Sequence, residues 1–141
     1  EFRRVLFRSP NPTFTLTPVD PGHPVTAGLE DGFSLTDEIY IKSSNFEAGV
    51  LPLMRSDYDY VASNFTAPPL ASPEEQETWE HPQGSNLVVW ANAARNSPVV
   101  ASDIGDSPEA FGHPDFRRLL KNALQWVASS DARAWAAARN Q

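Results

Sequence analysis

An α/β fold is the class this sequence predicts, and three observations predict it. Short extended runs punctuated by proline and glycine fill the first half, two apolar runs of strand length follow, and an amphipathic helix closes the pattern. Thirteen prolines, most of them before residue 83, keep long helices out of the first half. With 141 residues the chain is long enough for one modest core and too short for two ordinary domains.

Residues 14–19 alternate apolar and polar side chains like a half-buried strand, and Asp20-Pro-Gly-His-Pro24 closes it with turn chemistry. Residues 33–41 form a second extended segment, with Phe33, Leu35, Asp37, Ile39 and Ile41 on one face and Ser34, Thr36, Glu38 and Tyr40 on the other. In the run 50–54, Pro52 cannot donate to a ladder, which favours an edge or irregular position. Residues 55–86, with Pro68-Pro69, read as a long functional or solvated loop in which Ser72-Pro-Glu-Glu75 has capping-box spacing. Residues 87–91 and 98–102 are candidate buried strands joined by a turn-sized linker, a possible hairpin.

Ser107-Pro-Glu-Ala110 and Gly112-His-Pro-Asp115 are helix starts. From the second, Phe116, Leu119, Leu120, Ala123, Leu124, Trp126 and Val127 recur at spacings of three and four, which predicts about four helical turns. We expect Phe116, Leu120, Ala123, Leu124 and Val127 to bury against a sheet. Ser130-Asp131 caps a short, frayed or helical tail over 131–141.

A net charge of −7 repels phosphate backbones and argues against nucleic acid, and no apolar run approaches the roughly 20 residues of a membrane span. The absence of cysteine excludes a disulfide, a thiolate zinc site and a cysteine nucleophile from this stretch. Glu1-Phe-Arg-Arg-Val-Leu-Phe-Arg-Ser9 is what GAG TTC AGA CGT GTG CTC TTC CGA TCT, the end of a common sequencing adapter, encodes. We therefore expect residues 1–9 to pack against nothing specific, natural sequence to begin near Pro10, and an upstream part to be missing; the compartment stays open. The expected division is an artefact over 1–9, a domain piece over 10–130 and the tail.

The series His23-Pro-Val-Thr-Ala-Gly-Leu29, Phe33 with Asp37-Glu-Ile-Tyr40, the two later strands, Gly105-Asp-Ser-Pro-Glu-Ala-Phe111, His113-Pro-Asp-Phe-Arg-Arg-Leu-Leu120 and Ala123-Leu-Gln-Trp-Val-Ala128 resembles the C-terminal half of the ThuA-like (trehalose utilisation) family. The resemblance implies an incomplete, flavodoxin-like three-layer domain related to class I glutamine amidotransferases without their glutaminase triad. It also implies carbohydrate metabolism, with trehalose or an oxidised disaccharide as substrate. Many members carry Gly-His-Asp where this chain has Gly105-Asp106-Ser107; a branch with His-Pro-x-Gly-Ser-Asn, similar to His81-Pro-Gln-Gly-Ser-Asn86, has Gly-Asp.

In an open α/β sheet ligands bind outside the strand carboxyl ends. We therefore expect Glu38, Tyr40, Gly105 and Asp106 to line one concavity, with Asp37, His81 and Asn86 as further sugar contacts. If Glu38 and Asp106 converge, they act as general acid and base on a sugar or hold a divalent metal through oxygen. The competing assignment makes Asp106 a helix cap and Asp37 or Glu38 a salt-bridge partner. Trp79 can stack a sugar ring, whereas Trp90 reads as core. His23, His81 and His113 share no ligand-pair spacing, so no histidine metal site and no cofactor is assigned. Two classes remain, a sugar-binding or sugar-processing domain and a non-catalytic scaffold that kept the fold. An exposed sheet edge invites self-association.

Overall fold

The computed structural model describes residues 9–66 and 72–139; the expectations on residues 1–8, on Pro68-Pro69 and on the last two positions lie outside the described residues. The chain is mixed α/β. Five strands, β1 (Thr13–Pro18), β2 (Phe33–Thr36), β3 (Leu51–Ser56), β4 (Leu87–Ala94) and β5 (Ser97–Ser102), form one curled sheet in the order β2-β1-β3-β4-β5. Every ladder in it is antiparallel, so the parallel strands of a doubly wound domain are not among these five.

Alternation places the core. Phe14 and Leu16 of β1 and Phe33 and Leu35 of β2 point inward and are nearly fully buried, while Thr13, Thr17, Ser34 and Thr36 are exposed. Of the two positions that Pro52 favours, an edge or an irregular one, the structure has the second: β3 is central. The β1–β3 ladder ends at Pro18 opposite Met54, and register shifts against β4 flank Met54, so Pro52 sits where the pairing is already irregular. The β4–β5 hairpin is tighter than the expected linker, because both strands run on to a turn at Arg95-Asn96 with Arg95 at φ 56°.

Each of the four helices opens on a local signal. In α1 (Pro73–Glu77) the Ser72 hydroxyl accepts from the Glu75 amide at 3.2 Å and the Glu75 carboxylate accepts from the Ser72 amide at 2.7 Å. Ser107 caps α2 (Pro108–Gly112), and the imidazole of His113 caps α3 (Pro114–Val127), with Nδ1 accepting from the Asp115 amide at 3.2 Å. Ser129, rather than Ser130, caps α4 (Ser130–Ala138), which is a packed helix with Ala132 and Ala136 buried. No helix among the described residues is long and apolar enough to cross a membrane.

The buried stripe of α3 differs from the expected one. Phe116, Leu119 and Trp126 are buried, Leu120, Ala123 and Val127 are half-buried, and Leu124 is 70% exposed. The helix is rotated so that its Leu120–Leu124 side lies along an open groove beside β5. Leu119→Ala should therefore cost about 2 to 5 kcal/mol through the cavity it leaves, and Leu124→Ala no more than about 0.5 kcal/mol. Urea unfolding midpoints compare the two; equal losses would mean that the helix is wrongly oriented.

Ser9 overturns the expectation that residues 1–9 pack against nothing. It is 3% exposed, its amide donates to the Ile39 carbonyl at 2.9 Å, and its hydroxyl accepts from the Ile39 amide at 3.1 Å. The physical reason is continuation of the β1–β2 pairing: the Asp37 amide donates to the Pro12 carbonyl, and the two chains stay side by side beyond the formal strand ends.

Candidate functional site at the end of the sheet

Beyond Thr36 the chain stays extended and leaves the β2 edge. It passes Ser9 at Ile39 and then reaches the start of β4, where the Ser85 amide donates to the Lys42 carbonyl and Ser43 bridges Gly84. Gly84 is required there. A Cβ at that position would stand 2.8 Å from the Ile41 side chain and 3.1 Å from the Lys42 carbonyl oxygen. At the opposite edge the chain leaves β5 through Asp103, whose amide still donates to Val88, and turns at Gly105 with φ 112°. Strands β2 and β5 are the two outer members of the sheet, yet the segments that follow them meet because the sheet curls.

Asp37 makes that meeting. Its buried carboxylate accepts from three successive amides, Gly105 at 2.6 Å, Asp106 at 3.2 Å and Ser107 at 3.1 Å. These three amides are thus occupied by the Asp37 carboxylate. Asp106 itself is exposed and is not the helix cap, since the Ser107 hydroxyl accepts from the Ala110 amide at 3.1 Å. Gly105 lies under the Phe116 ring, where a Cβ would come within 3.0 Å.

Glu38, on the other side of the extended chain, is 7% exposed and lines a polar concavity of about 390 Å³ with Ser9, Pro10, Asn11 and Thr66. Neither Gly105 nor Asp106 lines it. Alternation accounts for this placement, since it sends Asp37 to the loop and Glu38 away from it. Tyr40 is half-buried in an isolated bridge.

His81 belongs to a third place. With Ala62, Trp79, Glu80 and Pro82 it lines a cleft of about 600 Å³, its ring centre 6.2 Å from that of Trp79 at an interplanar angle of 30°. Asn86 serves the framework: its amide donates to the Ser56 carbonyl at 2.8 Å and its oxygen accepts from Arg55 at 2.9 Å. Arg55 also pairs with Glu47 at 2.6 Å, and that hydrogen bond holds the Glu47 carboxyl below its ordinary range. Among the described residues no group of three or more histidines and acids is placed to hold a metal.

Sequence reasoning passed over Lys42 and Asp103. They form an ion pair at this end of the sheet. Nζ of Lys42 stands 5.3 Å from the ring centre of Tyr60, 5.7 Å from that of Phe46 and 5.8 Å from that of Trp90. Burial lowers the lysine against the pull of Asp103, and burial raises Asp103 against the pull of the lysine. Trp90, expected to be core, is half-buried and packs edge-on against Phe46. The available signal was small: only two lysines occur in the chain, and this one follows directly on the Asp37–Tyr40 segment.

The family model for trehalose utilisation, ThuA, matches residues 3–127. No curated protein and no solved structure matches the chain.

Proposed function

We propose, for a chain that belongs to the trehalose utilisation (ThuA) family, that the Glu38 concavity takes a sugar and that the Glu38 carboxylate bonds one of its hydroxyls. The observation that carries this reading is a nearly buried carboxylate facing a polar hollow in company with the serine, asparagine and threonine at positions 9, 11 and 66. A hydroxyl-rich ligand needs such acceptors and donors in one concavity, and its size lies within the range of small-molecule pockets. In this reading Glu38 acts as general acid or base if a bond of the sugar is broken, and Asp106 stays a solvent-facing carboxylate at the neighbouring loop. The Trp79–His81 cleft offers a ring face on which a second sugar unit can stack.

Titration calorimetry with trehalose tests the reading. Glu38→Gln should weaken binding about tenfold or more, the loss expected when a charged hydrogen bond is removed, while Asp106→Asn should bind like the parent chain. Trehalose binding that survives Glu38→Gln unchanged, or that is lost with Asp106→Asn alone, would move the site away from this concavity.

A further inference from the structure

The Lys42–Asp103 pair lies outside the Glu38 concavity and outside the Trp79–His81 cleft. An ion pair placed there for stability alone is a poor investment, because taking two charges out of water offsets much of their attraction and apolar side chains would pack as well. The surroundings add two further facts. The side chains of Lys42 and Asp103 keep 19% and 15% of their surface, so the pair is largely covered but not sealed off. Tyr60, 1% exposed, has a hydroxyl with no hydrogen-bond partner among the described residues. The Ser56 hydroxyl, which accepts from the Tyr58 amide at 3.0 Å, is the neighbouring group that bears on the ionisation of Tyr60. An orphaned buried hydroxyl beside an amine and a carboxylate marks a place for a ligand oxygen.

We propose that Lys42 is an imine-forming lysine that captures the carbonyl group of a small hydroxylated aldehyde or ketone, with Asp103 carrying the proton and the Tyr60 hydroxyl bonding the substrate oxygen. Asp103 takes one proton from the ammonium. The freed lone pair of Nζ adds to the carbonyl carbon, the π pair moves to oxygen, and that oxygen takes up the proton from Asp103. A second proton leaves nitrogen by the same carboxylate and goes to the hydroxyl, which departs as water while the nitrogen lone pair closes the C=N bond. Nitrogen keeps its third proton, so the product is the iminium, which keeps its ion pair with Asp103. Overall one ammonium and one carbonyl give one iminium and one water, and neither oxidant nor reductant is needed. Burial favours the neutral form of both partners, and the faces of Phe46, Tyr60 and Trp90 limit the water that would reverse the condensation.

The chain supplies its own control, since its other lysine, Lys121, is exposed on α3. The full chain is treated with dihydroxyacetone and sodium cyanoborohydride near pH 7, and the secondary amine left at each lysine is quantified by peptide mass spectrometry. Lys42 should be labelled about tenfold faster than Lys121, with a rate that saturates in dihydroxyacetone and rises at lower pH than that of Lys121. Tyr60→Phe keeps the ring and should slow Lys42 labelling several-fold without moving the unfolding midpoint. Asp103→Asn should abolish the preference while leaving Lys121 unchanged. A purely structural ion pair gives the reverse: Lys42 slower than Lys121 in the parent chain, no saturation, and no effect of Tyr60→Phe. Any one of these three results overturns the proposal. Because Glu38 has no part in the chemistry, Glu38→Gln should leave the labelling intact, so this site and the sugar concavity stand or fall separately.

Discussion

Replacing Asp37 with alanine is expected to cost about 3 kcal/mol or more of folding stability, the largest loss from any single polar side chain here. The carboxylate is 1% exposed and accepts from three consecutive backbone amides 68 to 70 residues away. Alanine would leave all three donors without a partner in a place that water reaches poorly, and each buried donor left unsatisfied costs about 1 to 3 kcal/mol. The loss does not stay local. Gly105 sits at φ 112° only because the loop is pinned on both sides, and that loop delivers Ser107 to cap α2 and brings Asp103 to Lys42. Asp37→Asn should cost less, because one amide oxygen can still accept while its NH₂ group faces donors. Asp106→Ala, at an exposed position, should stay within about 0.5 kcal/mol. Chemical denaturation of the three variants gives the ranking, and an Asp37→Ala protein as stable as Asp106→Ala would refute the pinning argument.

What could be read from the residues was what is local. Caps need only a few neighbours, and Ser72, Ser107 and His113-Pro114 announce their helices within four residues. The division of labour between Asp37 and Glu38 follows from strand alternation alone, which sets neighbouring side chains on opposite faces. Strand order was beyond reach. Nothing in the β2 or β5 segments tells that they are the two outer strands or that the sheet curls until their exits touch. Pro52 left two positions open for a related reason: a proline excludes ladder donation at its own position, but it does not say whether an edge or an irregular register in a central strand will absorb it. Lys42 and Asp103 are 61 residues apart and leave no periodic trace, so their pairing is visible only once the sheet has closed.

The second large effect is expected in solution behaviour. Strand β5 has a partner on one side only, and its sequence, Ser97-Pro-Val-Val-Ala-Ser102, carries no charge to discourage another strand. Beside it runs a groove of about 420 Å³ walled by Val89, Val100, Leu119, Leu120, Ala123 and Val127, with Val99 39% and Leu124 70% exposed at its rim. An unpaired backbone edge and an apolar hollow on one surface reinforce each other, since a strand added to β5 also covers the hollow. Net charge opposes this only weakly, because the exposed Arg117 and Lys121 of α3 flank Leu120 and Leu124 in sequence and offset the negative charge there. Other copies of this chain are the partners always present at matching concentration. Sedimentation at micromolar concentrations should therefore show species heavier than the monomer, in amounts that rise with concentration. The double variant Val99→Lys with Leu124→Glu sets one charge on the edge and one over the groove, both at exposed positions, and should restore the monomer without lowering the unfolding midpoint. A parent chain that stays monomeric across the concentration series would show that Pro98 and the short length of β5 are protection enough.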